Sequence, residues 1–236
     1  MSAKLIKAIK FTISATDNVN KYFLFGDEHI LMYQAKNHCL KNLDIKLLEK
    51  FYIDIADENF DANLDQCLMS NSLFNEQKVV FLSLSKNRLN KELVERFKKI
   101  MAYETDNILI TEITNLSKKV IEKDIISKLD GDGCFIDCSS PYDSEIENYL
   151  KNNLPVFLNK NEHIKVLLEM YEGNFSALFN DLEILKILEI KEEKEAMTIF
   201  TSNGDKNNYK LIEHISNNES DSALSIINSM KKKDRN

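Results

Sequence analysis

The chain has 236 residues, 43% of them hydrophobic and 29% charged, which is the composition of an ordinary globular protein of one or two domains. Its formal net charge of −7 excludes a generic nucleic-acid coat, and its 5 glycines and 2 prolines argue against a disordered chain. We expect neither a signal peptide, because Lys4, Lys7 and Lys10 interrupt the apolar N-terminus, nor a membrane span, because no apolar run is long enough. Four scattered cysteines then predict reduced thiols and a cytoplasmic protein.

Short apolar runs alternate with helical patterns over the first part of the chain. The runs are continuous rather than alternating, which is typical of strands that helices cover on both faces. Strands are predicted at residues 22–25, 51–55, 79–84, 108–113 and 134–138. Strand–helix alternation of this kind predicts an α/β domain with a parallel sheet over residues 1–140.

One helix is predicted between the third and fourth of these strands, where apolar residues recur at helical spacing. Glu92 with Arg96, and Glu95 with Lys99, are four residues apart in the favourable order along this helix. Two ion pairs on its surface are therefore predicted.

From residue 142 onward the pattern is helical, with no convincing strand. Helices are predicted at 145–150, 161–171, 174–185, 192–200, 209–215 and 220–230. Gly173 is a suitable left-handed C-cap, and Asn174 can cap the helix that follows it. We expect a small helical domain over residues 141–205 and the start of a further part over 206–236.

A strand, a glycine and a helix near the N-terminus invite a nucleotide-binding interpretation. A phosphate loop needs G-x-x-x-x-G-K-[ST], because backbone amides, a lysine and a metal-binding hydroxyl converge on the phosphates. Gly26 is instead followed by Asp27 and Glu28, whose carboxylates would repel phosphate. The acidic pair that holds magnesium is also missing, since the relevant strands offer only Glu112. ATP hydrolysis by this chain is not expected, and no cofactor is predicted.

Two thiols, Cys134 and Cys138, are four residues apart, and His163 could approach them. Metal sites usually place cysteines closer, as C-x-x-C with a second such pair, so both thiols are predicted to lie in the core. The remaining histidines lie in helical patterns without a nucleophile motif; they are His29, His38 and His214. Residues 130–133 are predicted to form a turn rather than a calcium loop, and the basic residues 231–235 a solvated helix end. No catalytic residue and no metal ligand is predicted.

A Leu-Phe pair stands in the predicted loop between the helix that ends near Met69 and the strand that begins at Val79. Leu73 and Phe74 have two possible fates: they enter the core of their own domain, or they fill a pocket on a partner protein. The pattern alone favours burial, because large apolar side chains usually end up inside.

Several segments, taken in order along the chain, are similar to one family. They are residues 22–28 with Leu31, 69–74, 108–118, and 171–174 with Leu178 and Leu182. Together they resemble the bacterial DNA polymerase III delta subunit family: its first strand and degenerate phosphate loop, its clamp-binding element, a strand with an L-S-K turn, and its lid helices. The resemblance covers nearly all of residues 15–230, and the ordered combination is more specific than any one motif.

The resemblance implies a RecA-like (AAA+-type) α/β domain with a degenerate phosphate loop, then a helical lid, then a collar domain of which residues 206–236 would be the truncated start. It implies a clamp-loader subunit that opens the DNA polymerase sliding clamp. Leu73 and Phe74 would fill an apolar pocket on the clamp, flanked by Met69, Ser70 and Ser72. The implied partners are the sliding clamp (beta subunit), the gamma and tau ATPase subunits, delta prime and, through the complex, DNA. The chain itself would have no catalytic activity, since its partners would hydrolyse ATP.

Two alternatives stay open from the residues. One is an ATP-binding motor subunit of the same fold, which requires nucleotide binding. The other is a nucleic-acid-binding regulator that uses Lys86, Arg88, Lys118, Lys119 and the basic tail, with an affinity for DNA that falls steeply with salt.

Overall fold

The computed structural model describes residues 4–11, 19–41, 49–69, 78–129, 131–203, 220 and 224. These residues fall into two compact units, one that ends at Ser140 and one that begins at Pro141. The described elements of the first unit are β1 (Lys4–Lys7), β2 (Lys21–Phe25), α1 (His29–Leu40), β3 (Glu49–Asp54), α2 (Phe60–Met69), β4 (Lys78–Ser85), α3 (Lys91–Ala102), β5 (Ile108–Thr114), α4 (Lys118–Asp124) and β6 (Cys134–Asp137). Those of the second unit are α5 (Asp143–Asn153), α6 (Asn161–Met170), α7 (Phe175–Ile187) and α8 (Glu193–Asn203).

The strands form one parallel sheet with the spatial order β1-β6-β2-β5-β4-β3. This arrangement confirms the predicted α/β fold, and each of the five predicted strands is found within two residues of its expected bounds. Strand β2 lies inside the sheet between β6 and β5, and all of its residues are buried. Its apolar run is continuous because both of its faces are covered.

Strand β1 was not predicted. It consists of Leu5 and Ile6 between two lysines, and none of its residues is buried. It pairs with β6 at the edge of the sheet, with Lys4 opposite Cys134. An apolar run of two residues at an exposed edge carries too little periodicity to be recognised in a sequence.

Helices α2, α3 and α4 pack on one face of the sheet around buried aromatic side chains; these are Phe23, Phe25, Phe60, Phe97 and Phe135. Helix α1 packs on the other face, where Lys36 forms an ion pair with Glu112 of β5. Glu112 is next in sequence to the core residue Ile113, and neighbouring side chains of a strand point to opposite faces. The sheet therefore has helices on both faces.

The ion pairs of α3 are partly as predicted. Arg96 pairs with Glu92, but the predicted pair of Glu95 with Lys99 is wrong. Glu95 instead pairs with Lys98 at 2.8 Å, and Lys99 reaches two carboxylates of α2. Lys99 lies on the side of α3 that faces α2, where two acidic groups attract its ammonium more strongly than one solvated glutamate does.

Every described element of the second unit is a helix. Gly173 has the predicted left-handed φ of 70°, but the C-cap of α6 is Tyr171. The Asn174 side chain accepts a hydrogen bond from the Ala177 amide at 3.1 Å, so the predicted cap of α7 is confirmed. The buried Tyr171 hydroxyl contacts the Asp181 carboxylate of α7, and it lies 3.1 Å from the Phe200 carbonyl oxygen of α8. These contacts join the end of α6 to the next two helices.

The two later helices predicted, 209–215 and 220–230, lie outside the described residues apart from Ser220 and Leu224, which are helical. Among the helices that the structure describes, none combines the length and the apolar character needed to cross a membrane.

Candidate functional site: the β2–α1 turn and the end of α2

The turn between β2 and α1 is fixed by a close approach of two backbone segments. Gly26 has φ of 140°, and a Cβ atom added to it would lie 2.2 Å from the carbonyl carbon of Cys138. Only glycine is compatible with both this φ and this contact. The predicted strand–glycine–helix turn is thus confirmed. Its single glycine allows the turn to pack against the backbone of Cys138.

The polar groups of this turn are used by the segment that follows β6. The Glu28 amide donates to the Cys138 carbonyl oxygen at 3.0 Å, and Oδ1 of Asp27 accepts from the Ser140 amide at 2.9 Å. A phosphate-binding turn presents its amides to a ligand. Here the Glu28 amide donates to a backbone carbonyl of the protein, and the Asp27 carboxylate places negative charge beside it.

A cleft of about 370 Å³ opens next to the turn, at the carboxyl end of the strands. It is lined by Gly26, Asp27, His29, Thr114, Asn115, Leu116, Ser117, Lys118 and Ser139. Doubly wound sheets bind ligands at this edge, where the strand order reverses. The position therefore corresponds to the nucleotide site of such a fold.

The lysine of this cleft is engaged by the protein itself. Nζ of Lys118 lies 2.6 Å from Oδ2 of Asp137, whose other carboxylate oxygen accepts from the amide and the hydroxyl of Ser139. Burial alone would raise the pKa of Asp137, but the hydrogen bonds from Lys118 and Ser139 outweigh it and lower the pKa. Asp137 is therefore a carboxylate at neutral pH, and it neutralises the cation that a phosphate would need.

The ends of β4 and β5 are joined across the same edge. Asn115 has φ of 65°, and its side-chain amide donates to the Ser85 hydroxyl at 2.9 Å. The basic residues proposed for nucleic acid, Lys86, Arg88, Lys118 and Lys119, are all exposed, and Lys118 also pairs with Asp137.

The candidate clamp-binding residues follow α2. Met69 is the last residue of this helix, and its side chain is 72% exposed. Ser70, Ser72, Leu73 and Phe74 lie outside the described residues. Whether the Leu-Phe pair is buried or exposed therefore stays a prediction.

The start of β4 contains a residue that the sequence analysis missed. Lys78, the first residue of β4, is 4% exposed, and its ammonium donates to the Cys67 carbonyl oxygen of α2 at 2.9 Å. The ammonium also lies 5.5 Å from the centre of the Phe51 ring. The Lys78 amide donates to Oδ1 of Asn107 at 2.8 Å. The available signal was a charged residue directly before the predicted strand 79–84.

Helix α2 is tied to α3 by two cations. Nζ of Lys99 lies 3.0 Å from a carboxylate oxygen of Asp61 and of Asp65. Burial would lower the pKa of Lys99, but its bonds to Asp65 and Asp61 raise it overall. Arg96 donates to the carbonyl oxygens of Ile55 and Asp57, just before α2, and its guanidinium lies 5.3 Å from the Phe60 ring centre.

The cysteines lie in the core, as predicted. Cys134 and Cys138 are both fully buried, and burial raises the pKa of Cys134 to about 11. Their suggested companion His163 pairs with Glu193 of α8 at 3.2 Å. Over the described ranges, no group of three or more histidine, cysteine, aspartate and glutamate side chains is arranged to hold a metal ion.

Two of the remaining histidines, His29 and His38, lie in α1. His29 is the first residue of α1, and the ring of His38 packs edge-on against Phe11. His214, Asp130 and residues 231–235 lie outside the described residues. Gly131 has φ of 130°, which fits the turn predicted before β6.

Comparison with solved structures gives a match that shows a shared fold. The DNA clamp loader delta protein of Bacillus subtilis is similar over 91% of this chain and 68% of its own, with a TM-score of 0.63 and 13% sequence identity. At that identity the likeness establishes a shared fold. Domain III of the replication initiation protein DnaA from Thermotoga maritima has a TM-score of 0.34, with 12% identity over 80% of this chain and 86% of its own. Rif2, solved in complex with the C-terminal domain of Rap1, has a TM-score of 0.43, with 14% identity over 84% of this chain and 81% of its own. TM-scores below 0.5 do not establish a shared fold.

Sequence comparison identifies the family. No curated protein matches the sequence. The family model of the DNA polymerase III delta subunit matches residues 22–139, which is half of the chain and spans β2 to β6. The match includes the β2–α1 turn with its single glycine and the segment that joins α2 to β4. The resemblance inferred from the sequence is therefore confirmed, and the chain belongs to the DNA polymerase III delta subunit family.

Proposed function

We propose that this chain is a clamp-loader subunit that binds the DNA polymerase sliding clamp through Leu73 and Phe74 and opens the ring or stabilises its open form. The observation that carries the proposal is the family match over residues 22–139, which includes the loop with both residues. Further support comes from Met69, whose exposed side chain leads into this loop from the end of α2. Ser70 and Ser72 would flank the contact.

Binding would rest on a small apolar anchor. Burial of two large side chains in a pocket supplies about 3–5 kcal/mol on area grounds, and anchors of this kind dominate interface energies. Helix α2 would press near a junction between clamp subunits, and Lys99 and Arg96 hold its start against α3. Opening would then be a population shift, driven by a higher affinity for the open ring.

Nucleotide chemistry would belong to partner subunits. In this role the chain assembles with the gamma or tau ATPases and delta prime, contacts DNA through the complex, and works in the cytoplasm. Two contacts support nucleotide binding by the partner subunits over the motor-subunit alternative. They are the hydrogen bond from the Glu28 amide to the Cys138 carbonyl and the Lys118–Asp137 ion pair. An equilibrium titration with labelled ATP tests it: no binding is expected, and saturable binding would restore the motor alternative.

Domain organisation is proposed from the same family. Residues 1–140 would form the AAA+-type domain with the clamp-binding element, 141–205 the lid, and 206–236 the opening of a collar domain. Clamp binding would need only the first of these. Assembly with the other loader subunits would need the collar.

The direct test measures the dissociation constant for a bacterial sliding clamp with wild type and with Leu73→Ala/Phe74→Ala. We expect the double variant to lose binding while its melting temperature barely changes, because the pair faces the partner. Tyr142→Ala/Val156→Ala is the matched control, since these side chains are 72% and 92% exposed in the second unit. Unchanged affinity in the Leu73→Ala/Phe74→Ala variant, or a melting temperature lowered by several degrees, would contradict the proposal.

A further inference from the structure

Strand β3 forms the edge of the sheet opposite to β1. Of the strands that the structure describes, β3 pairs with β4 alone. The Ile55 amide, just after β3, donates to the Ser83 carbonyl oxygen of β4 at 2.8 Å, so the peptide groups of Ile55 point toward β4. Because these groups alternate in direction along a strand, those of Lys50, Tyr52 and Asp54 point away from β4. The three residues therefore present main-chain donors and acceptors at the edge of the sheet.

The side chains of these three residues lie on one face of the sheet, since they are two positions apart. All three are exposed, and Tyr52 is exposed at 76%. Tyr52 stacks on Phe81 of β4, with the ring centres 5.0 Å apart. Along this face the edge therefore has a cation, an aromatic ring and an anion, in that order. The same order read backwards is its electrostatic complement.

We propose that β3 pairs with β3 of a second copy of this chain, antiparallel and with Tyr52 at the two-fold axis. Lys50 then faces Asp54 of the second copy, and the Tyr52 residues of the two copies face each other. Opposite charges and aromatic rings are both favourable in directly opposed cross-strand positions. Both copies use the same surface, as in other two-fold dimers.

The directions of the peptide groups support this register. With Tyr52 at the axis, residues whose peptide groups point outward lie opposite one another, and the two Tyr52 residues exchange both of their backbone hydrogen bonds. A shift by one residue would place inward-pointing groups opposite outward-pointing ones. The Asp54 carbonyl oxygen already accepts from the Asp57 amide at 3.1 Å. At each end of the pair, the Asp54 amide therefore donates to the Lys50 carbonyl oxygen of the second copy.

The edge has room for side chains of an added strand on both faces. A cleft of about 430 Å³ lies beside α1, and another of about 330 Å³ lies beside α2. Tyr52 and Ile53 line both clefts. In the proposed register, Phe51 faces Ile53 of the second copy on the α2 side, where both side chains pack against the apolar core. Apolar groups thus meet on one face, and the charges and the tyrosines meet on the other.

The experiment is a charge exchange, measured by sedimentation equilibrium over a range of chain concentrations. Wild type should form a dimer with a dissociation constant on the order of 10–100 µM, because two short strands bury less area than a standard interface. Lys50→Asp and Asp54→Lys each place like charges opposite one another, and each should weaken the dimer about tenfold. An equimolar mixture of the two variants restores both pairs of opposite charge and should associate like wild type.

Two further variants separate edge pairing from effects on the fold. Tyr52→Pro removes an amide that the β3–β4 ladder does not use, so the chain should stay folded and lose the dimer. Lys119→Asp makes the same charge change at an exposed residue of α4 and should associate like wild type. Asp54→Lys also loses the bond from the Ala56 amide to Oδ1 of Asp54, so its melting temperature is measured before it is mixed.

The inference goes beyond the proposed function and does not depend on it, because every variant leaves residues 69–74 unchanged. An exposed lysine can also protect an edge strand from pairing. Wild type that stays monomeric up to about 1 mM would show that Lys50 has this role instead, and would overturn the inference. A dimer that persists at wild-type affinity in Tyr52→Pro or Lys50→Asp would also overturn it, as would folded charge variants that fail to associate when mixed.

Discussion

The ammonium of Lys118 lies 2.6 Å from the carboxylate of Asp137, at the sheet edge where a fold of this kind holds its ligand. Asp137 ends β6, and Lys118 begins α4 just after β5, so the pair connects β6 to α4. The side chain of Asp137 is 1% exposed. The Asp137 carboxylate thus balances the charge of Lys118 at the edge of the sheet where folds of this kind bind ligands.

The first prediction concerns acid stability. The pKa of Asp137 is lower in the folded protein than its usual value of 3.8, because the hydrogen bonds from Lys118 and Ser139 outweigh burial. A carboxyl with a lowered folded pKa contributes stability that is present above its unfolded pKa and is lost as pH falls through the folded pKa. We expect Asp137→Asn to lower the free energy of unfolding by about 1–3 kcal/mol at neutral pH, and the difference from wild type to shrink in acid.

Urea denaturation of both proteins from about pH 7 to about pH 2 checks this expectation. Asp124→Asn is the control, since this partly exposed carboxylate at the end of α4 pairs with the exposed Lys128. It should change the free energy of unfolding by less than about 1 kcal/mol at any pH. A constant difference between Asp137→Asn and wild type over this range would show that the ionisation of Asp137 does not contribute.

The second prediction concerns the β2–α1 turn. Gly26→Ala should lower the free energy of unfolding by about 2–4 kcal/mol, because the new Cβ would lie 2.2 Å from a backbone carbon of Cys138 at φ of 140°. Gly173→Ala is the control: its φ is 70°, and nothing lies within 4 Å of its added Cβ. It should cost only about 1–2 kcal/mol for the left-handed conformation. Equal losses of unfolding free energy in the two variants would mean that the contact with the Cys138 backbone does not restrict the side chain at position 26.

Sequence patterns predicted every described strand of the sheet except β1, which forms one of its two edges. The buried strands β2, β4 and β5 were found because continuous apolar runs result from cover on both faces, a property of the strand's own residues. Strand β1 has only Leu5 and Ile6 to signal it, and its pairing with β6 depends on residues far along the chain.

Long-range ionic partners were not predictable in the same way. The spacing of Glu95 and Lys99 along α3 is correct for a pair, yet Lys99 binds Asp61 and Asp65 of another helix. Lys78 shows the same limit, since its partner is the carbonyl of Cys67, and backbone carbonyls leave no mark in a sequence. The fate of Leu73 and Phe74 rests on the family for the same reason: burial within a domain and burial in a partner give one pattern.

The third prediction concerns the start of α2. Arg96→Met should lower the free energy of unfolding by about 2–4 kcal/mol, because it leaves the carbonyl oxygens of Ile55 and Asp57 without their guanidinium donor. Lys98→Met, on the same helix, removes an exposed pair with Glu95 and should change it by less than about 1 kcal/mol. Chemical denaturation measures both, and comparable effects would contradict the anchoring role of Arg96.

The fourth prediction concerns the thiols. All four cysteines of the chain are buried, and burial raises the pKa values of Cys39, Cys67 and Cys138 as well as that of Cys134. The thiolate is the form that reacts, so the native protein should label with a thiol reagent only as fast as it opens or unfolds. Labelling at neutral pH should therefore be slow without denaturant and reach four thiols per chain in concentrated urea.

The Cys67 thiol is 5% exposed at the end of α2, where Lys78 lowers its pKa against the effect of burial. If one thiol reacts first, it should be Cys67, through opening of the end of α2 rather than through unfolding of the sheet. Mass spectrometry of the singly labelled protein identifies the site, and rapid labelling of Cys134 or Cys138 in the native state would contradict a packed core around β6.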